Sequence, residues 1–178
     1  MPHLIFTLHS LQVQDRLKNQ PEDLVKAVAH AKASALLASH AAIWPAHALL
    51  ITSDQVVMHN GIIREKPSCA EEARAFIKSY SSSSCQTVGC IMVTRVSDGL
   101  QHFSIESTNI LYREIPDAVV DAVVDEGEVM SCAGGLMVEN PLTRPFLVQI
   151  EGGEDQVQGL GKESLARLLN LFCQSDLA

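Results

Sequence analysis

The span from residue 86 to residue 115 constrains the fold more than any other part of this chain. Residues 86–96 alternate in polarity and are rich in β-branched side chains. Asp98-Gly99 supplies a turn, and residues 100–115 read as a long returning strand. A second hairpin signal stands upstream. Residues 48–52 are an apolar strand candidate that delivers Ser53-Asp54-Gln55 at its end. Val56-Val57-Met58 then leads into Asn60-Gly61, and Ile62-Ile63 returns. Long antiparallel hairpins of this kind do not belong to a simple doubly wound parallel sheet. Helical signals surround them. Pro21 opens a helix expected to run to about Ser39, and Ser68-Cys69-Ala70-Glu71 reads as a capping box for a helix ending near Tyr80. Pro116 precedes Val119, Val120, Val123 and Val124 at helical spacing, and Gly127 closes that run. Residues 146–150 suggest a further strand, and Leu165, Leu168, Leu169 and Phe172 mark a terminal amphipathic helix. The class is therefore α/β, with a mixed sheet, long hairpins and flanking helices.

With 178 residues the chain has the length of one domain. Its formal net charge of −8 gives no global field for a nucleic acid polymer or an anionic membrane, so a phosphate-bearing ligand must meet locally placed cations. No apolar run approaches the ~18 residues of a membrane span. Five cysteines form no C-x-x-C pair and seven histidines show no zinc spacing. A reducing, cytoplasmic setting is expected.

One stretch carries candidate chemistry. Asp54 is expected where a buried strand emerges, a usual place for a working carboxylate. Arg64-Glu65-Lys66-Pro67 returns two cations toward that end after a short hairpin. Lys32 stands in an Ala-rich helical stretch whose small neighbours let a ligand approach. An acid, two lysines and the Ala133-Gly134-Gly135 turn suit metal-assisted attack on a phosphoanhydride. By contrast, Gly159-Leu160-Gly161-Lys162-Glu163-Ser164 is not a P-loop, because it lacks the upstream glycine and has Glu after the lysine. Composition and spacing alone reach an anionic-ligand site and no further.

These residues resemble the Maf family of nucleoside triphosphate pyrophosphatases. Leu50-Ile51-Thr52-Ser53-Asp54-Gln55-Val56-Val57, Asn60-Gly61 and Lys66-Pro67 resemble its strand–Asp–hairpin–Gly-Lys-Pro segment. Ala31-Lys32-Ala33 resembles its helical Lys-Ala, Cys132-Ala133-Gly134-Gly135 its Ala-Gly-Gly turn, and Val157-Gln158-Gly159-Leu160 its Val-x-Gly-Leu-Pro. The likeness spans residues 21–169. It implies an elongated sheet shared with the inosine triphosphate pyrophosphatase type, a homodimer, and hydrolysis of NTP to NMP and pyrophosphate with Mg²⁺ or Mn²⁺. By the same likeness Asp54 is the proton acceptor or metal holder, and Lys32 and Lys66 contact the phosphates. Gln55 and Glu139 resemble the 7-methyl-GTP branch, where the dTTP/UTP branch carries Thr and Gln. Guanine offers two N–H donors that a carboxylate accepts, whereas uracil and thymine present one donor between carbonyls.

The chain also departs from the pattern. Residues 1–20 are expected to be an atypical segment before a single domain at 21–178. They lack Ser-x-Ser-Pro-Arg-Arg and the following strand with its Asp-Glu, although Ser10 echoes the loop. Loss of that strand implies an exposed sheet edge for a partner chain. Glu65 replaces the Gly of Gly-Lys-Pro, and Gly161 the Pro of Gly-Leu-Pro. A dTTP/UTP-type enzyme and a catalytically impaired nucleotide-binding or interaction protein remain the alternatives.

Overall fold

The computed structural model of the chain describes residues 20–45 and 47–175. The expected atypical segment, apart from Gln20, lies outside the described residues. Helix α1 (Pro21–His40) begins at the proline, whose fixed φ suits a first helical turn, and Glu22 and Asp23 complement the positive end of its dipole. Its buried stripe of Leu24, Val25, Val28, Ala29 and Ala33 rests on one face of a five-stranded sheet.

The sheet is built from the two hairpins. Strand β1 (Leu49–His59) turns at Asn60-Gly61 into β2 (Ile62–Arg64), and both turn residues have left-handed φ, 51° and 75°. Strands β3 (Ser84–Arg95) and β4 (Gln101–Tyr112) form the long hairpin, and β5 (Leu147–Glu151) completes the order β2-β1-β3-β4-β5. Every strand pair among the described residues is antiparallel. The expected α/β class stands, with a sheet that is antiparallel throughout the described residues.

Two separate clusters cover the other face. At one end, α2 (Ala70–Tyr80) and α3 (Asp117–Glu126) pack on Val57, Cys85, Ile110 and Tyr112. At the other end, Leu168 and Phe172 of the terminal helix α5 (Lys162–Ser175) cover Ile91 and Val93. A short helical turn, α4 (Glu154–Val157), lies over the stretch between the clusters, where β1 and β4 present the polar side chains of Gln55 and Thr108.

Two local expectations are corrected. The box at the start of α2 does not pair Ser68 with Glu71. Cys69 is the cap residue, and the backbone N–H and hydroxyl of Ser68 both donate to Glu72, each at 2.7 Å. Strand β1 does not end before Asp54. The apolar run resumes at Val56-Val57, and β3 keeps pairing as far as Met58↔Gln86.

Helix α3 shows packing outweighing propensity. Valine costs less than about 0.7 kcal/mol in a helix relative to alanine, whereas burying a valine side chain contributes roughly 1.5 kcal/mol or more. Val120, Val123 and Val124 are all buried, and Gly127, at φ 79°, closes the helix. Val123→Ala removes two methyl groups from the core. It is expected to lower the unfolding free energy by about 1–2 kcal/mol in urea denaturation. A variant more stable than the parent would show that propensity decides this helix.

Candidate active site

The site forms along β1 beyond the reach of its described neighbour β2. Strand β2 pairs only with Val57–His59, so no described strand flanks residues 49–56 of β1 on that side. Side chains alternate along a strand. Asp54 therefore shares the α1 face with Thr52 and Val56, and Gln55 faces the opposite side. The two adjacent residues reach one cleft from the two faces of β1.

From α1, Lys32 donates from Nζ to Asp54 Oδ1 and to the Ser53 carbonyl, each at 2.8 Å. The helix approaches closely because its facing residues are small, and the Thr52 hydroxyl donates to the Ala29 carbonyl at 2.9 Å. The lysine and aspartate side chains are 41% and 21% exposed, so the pair is open to solvent. An exposed pair of this kind contributes about 0–1 kcal/mol to stability. Its consequence is positional: an ammonium and a carboxylate oxygen are held together at the cleft.

Lys66 arrives from the end of the β2 hairpin. The Gly134 N–H donates to the Glu65 carbonyl at 2.8 Å, which ties this segment to the Ala133-Gly134-Gly135 turn. Arg64 does not join it, contrary to the expected delivery of two cations. Its guanidinium donates to the Phe76 carbonyl and Ser79 Oγ and lies over the Phe76 and Tyr80 rings.

Gly134 is required by its surroundings. Its φ is +62°, and a Cβ there would stand 2.7 Å from the Tyr80 hydroxyl and 2.8 Å from Val57 Cβ. That hydroxyl donates to the Gly134 carbonyl at 2.8 Å, and burial pushes its pKa up to about 12, so it remains a donor throughout the neutral range.

The opposite wall carries Glu139. It is exposed, but its neighbours Val138 and Asn140 are buried. Asn140 shapes the loop: its Oδ1 accepts the Leu142 N–H at 2.9 Å and its Nδ2 donates to Glu126 at 2.8 Å. Cys132 lies among the lining residues. Burial raises its thiol pKa, with Glu139 raising it further and Lys66 opposing, so the group is held as a thiol rather than a nucleophilic thiolate.

Lys32, Asp54, Gln55, Lys66, Cys132 and Glu139 line one cleft of about 320 Å³, within the size of small-molecule sites. All five residues singled out in the sequence are brought together. Residues 157–159, which carry the Val-x-Gly likeness, line it as well. Missed in the sequence was Gln156, whose backbone carbonyl accepts a 2.7 Å bond from Gln55 Nε2. No motif or spacing marks a pair 101 residues apart. Among the described residues no three His, Cys, Asp or Glu side chains converge into a metal cage.

Comparison with known proteins adds an independent line. The Maf-like protein family profile matches residues 3–172. A "7-methyl-GTP pyrophosphatase" of Dictyostelium discoideum is 32% identical over 88% of this chain and 80% of its own length. A "dTTP/UTP pyrophosphatase" of Salinibacter ruber is 29% identical over 84% and 71%. A "Nucleoside triphosphate pyrophosphatase" of Thermosynechococcus vestitus is 28% identical over 84% and 73%.

Gly134→Ala tests the wall that carries Lys66. The added methyl group meets Val57 and Tyr80 at a left-handed backbone position. A loss of about 1–3 kcal/mol in urea unfolding is expected. Unchanged stability would show that the turn accepts a side chain.

Proposed function

The chain belongs to the Maf-like protein family, and from that premise we propose that it hydrolyses a nucleoside triphosphate to the monophosphate and pyrophosphate, with 7-methyl-GTP-type specificity. The observation that carries the reading is the convergence of Lys32, Asp54, Gln55, Lys66 and Glu139 on one cleft.

In this reading Asp54 takes a proton from the attacking water, and the α–β phosphoanhydride breaks with pyrophosphate leaving. Lys32 holds the Asp54 carboxylate through its 2.8 Å bond and, with Lys66, offers point charges to phosphate oxygens. The donor set fits a Mg²⁺ or Mn²⁺ carried on the triphosphate rather than a resident ion. Such an ion needs only one or two carboxylates beside phosphate oxygens and water, and Asp54 would hold it. When bound, it supplies positive charge for the leaving pyrophosphate.

Gln55 and Glu139 read the base. A carboxylate accepts from the N1–H and amino group of guanine, and 7-methylation adds ring charge that favours the same carboxylate. The Dictyostelium relative's name agrees with this choice. The pyrimidine alternative rests on relatives such as that of Salinibacter ruber. The impaired-binder alternative rests on the missing Pro-Arg-Arg. A homodimer in the cytoplasm completes the proposal; its support is the family likeness together with five cysteines that are all free thiols. Among the described residues no helix is long and apolar enough to cross a membrane.

The test is pyrophosphate release from 7-methyl-GTP, GTP, UTP and dTTP with Mg²⁺ or Mn²⁺. Asp54→Asn is expected to lower kcat by roughly 10²–10⁴-fold, as for loss of a general base. Chelation with EDTA is expected to stop turnover, and Glu139→Gln to move preference toward UTP. Nucleotide binding without turnover in the wild-type chain would overturn the activity in favour of the binder. Wild-type preference for UTP would overturn the base assignment alone.

A further inference from the structure

The polar stretch between the two clusters has an order of its own. Gln55 pairs in register with Gly89, and Gly89 with Glu106, so the three stand in one row across β1, β3 and β4. The central residue has no side chain, which leaves room above it for groups from either flank. Glu106 is 9% exposed and has no ion pair among the described residues. It packs against Gly161, where a Cβ would overlap its carboxylate oxygens.

Gln156 of α4 drops into this row. Its Oε1 accepts the Gly153 N–H at 3.0 Å and the Thr108 hydroxyl at 2.8 Å, and its Nε2 donates to Glu106 at 3.3 Å. A backbone N–H only donates, so the Gly153 bond fixes which way the amide faces. The side chain thus staples α4 to β4, and its backbone carbonyl is held at 2.7 Å from Gln55 Nε2. That carbonyl in turn fixes Gln55. The amide nitrogen must face Gln156, and Oε1, which has no hydrogen bond among the described residues, remains as an acceptor.

We propose that Gln156, anchored by the buried Glu106 and by Thr108, is the positioning residue that makes Gln55 present an acceptor to the nucleobase. The inference rests on Gln55 as a base-reading residue. With Glu139, an acceptor-facing Gln55 matches a base edge of N–H donors such as that of guanine. Released from Gln156, the Gln55 amide turns freely and offers its N–H₂ to the carbonyls of uracil.

Calorimetric binding of the non-hydrolysable α,β-methylene analogues of 7-methyl-GTP and UTP with Mg²⁺ reads this without turnover. Gln156→Glu keeps the acceptors for Gly153 and Thr108 but sets a second carboxylate against Glu106. The 7-methyl-GTP over UTP affinity ratio is expected to fall roughly 10-fold or more, the scale of one lost polar discrimination. Adding Glu106→Gln to that variant restores a donor–acceptor pair, and the ratio is expected to recover to within about 3-fold. A general loss of fold would lower both affinities together and would not be rescued by this exchange. Should Gln156→Glu fail to fold, Thr108→Val removes one anchor and is expected to move the ratio the same way by about 3-fold. An unchanged ratio in Gln55→Ala overturns the base-reading assignment. A ratio that falls in Gln55→Ala yet holds in Gln156→Glu and Thr108→Val, or stays low in the double variant, overturns the positioning role alone.

Discussion

Alternation along β1 is the constraint on which this molecule depends. Ten consecutive positions of β1, from Leu49 to Met58, pair with β3, while among the described residues its outer flank meets a strand only over its last three residues. Successive side chains must point to opposite faces. The same pairing therefore buries Val56 beneath α1, buries Val57 beneath the α2–α3 cluster, and brings Asp54 and Gln55 to one cleft from opposite faces. A shift of one residue in register would exchange those faces, pointing Gln55 toward Lys32 and Asp54 toward Gln156. Core and candidate site are held by one register, so neither can slip without the other.

The electrostatics follow from how little positive charge is available. At net −8 the chain cannot attract a triphosphate by its overall field. The described lining balances Lys32 and Lys66 against Asp54 and Glu139. A formally neutral lining gains little from an uncomplexed triphosphate. It suits a substrate whose charge a divalent cation has already reduced, with the two lysines acting as local contacts rather than a steering field. In the proposed reading Glu139 serves better as a selector than as an attractor. A carboxylate costs binding to any base that turns carbonyls toward it and favours one that turns N–H groups.

What was legible in the sequence was local. Asn60-Gly61 specifies left-handed backbone at both positions, and Pro116 and Gly127 bracket α3 as their restricted and permissive φ values dictate. Asp54, Lys32 and Lys66 stand out by residue type and placement, and Gln55 and Glu139 are named through the family likeness, which survives in one dimension. Three features were not legible. Asp54 reads as a strand end because Ser53-Asp54-Gln55 interrupts an apolar run. Only the partner strand β3 shows that pairing continues through it. Arg64 reads as a companion to Lys66, but Phe76, Ser79 and Tyr80 of α2 capture it from a helix that the hairpin alone does not reveal. Gln156 and Glu106 meet across 50 residues, and each looks like an ordinary surface polar residue until the sheet is assembled.

The two local departures from the family pattern have opposite physical characters. Glu65 stands where a glycine is usual, yet Asn60 and Ser82 are the non-glycine residues with positive φ among those described. The Glu65 backbone thus has no need of glycine's freedom. Its carbonyl makes the link to Gly134, a contact that any residue can supply. Gly161 stands where a proline is usual, and here a Cβ would meet the Glu106 carboxylate oxygens, so a side chain at 161 requires that carboxylate to shift. A proline at 161 and a carboxylate at 106 compete for one volume, so those two positions are coupled through packing. The coupling runs on through Gln156 to Gln55. A change far from the cleft in sequence is therefore connected, by steric contact and then by hydrogen-bond direction, to the Gln55 amide at the cleft.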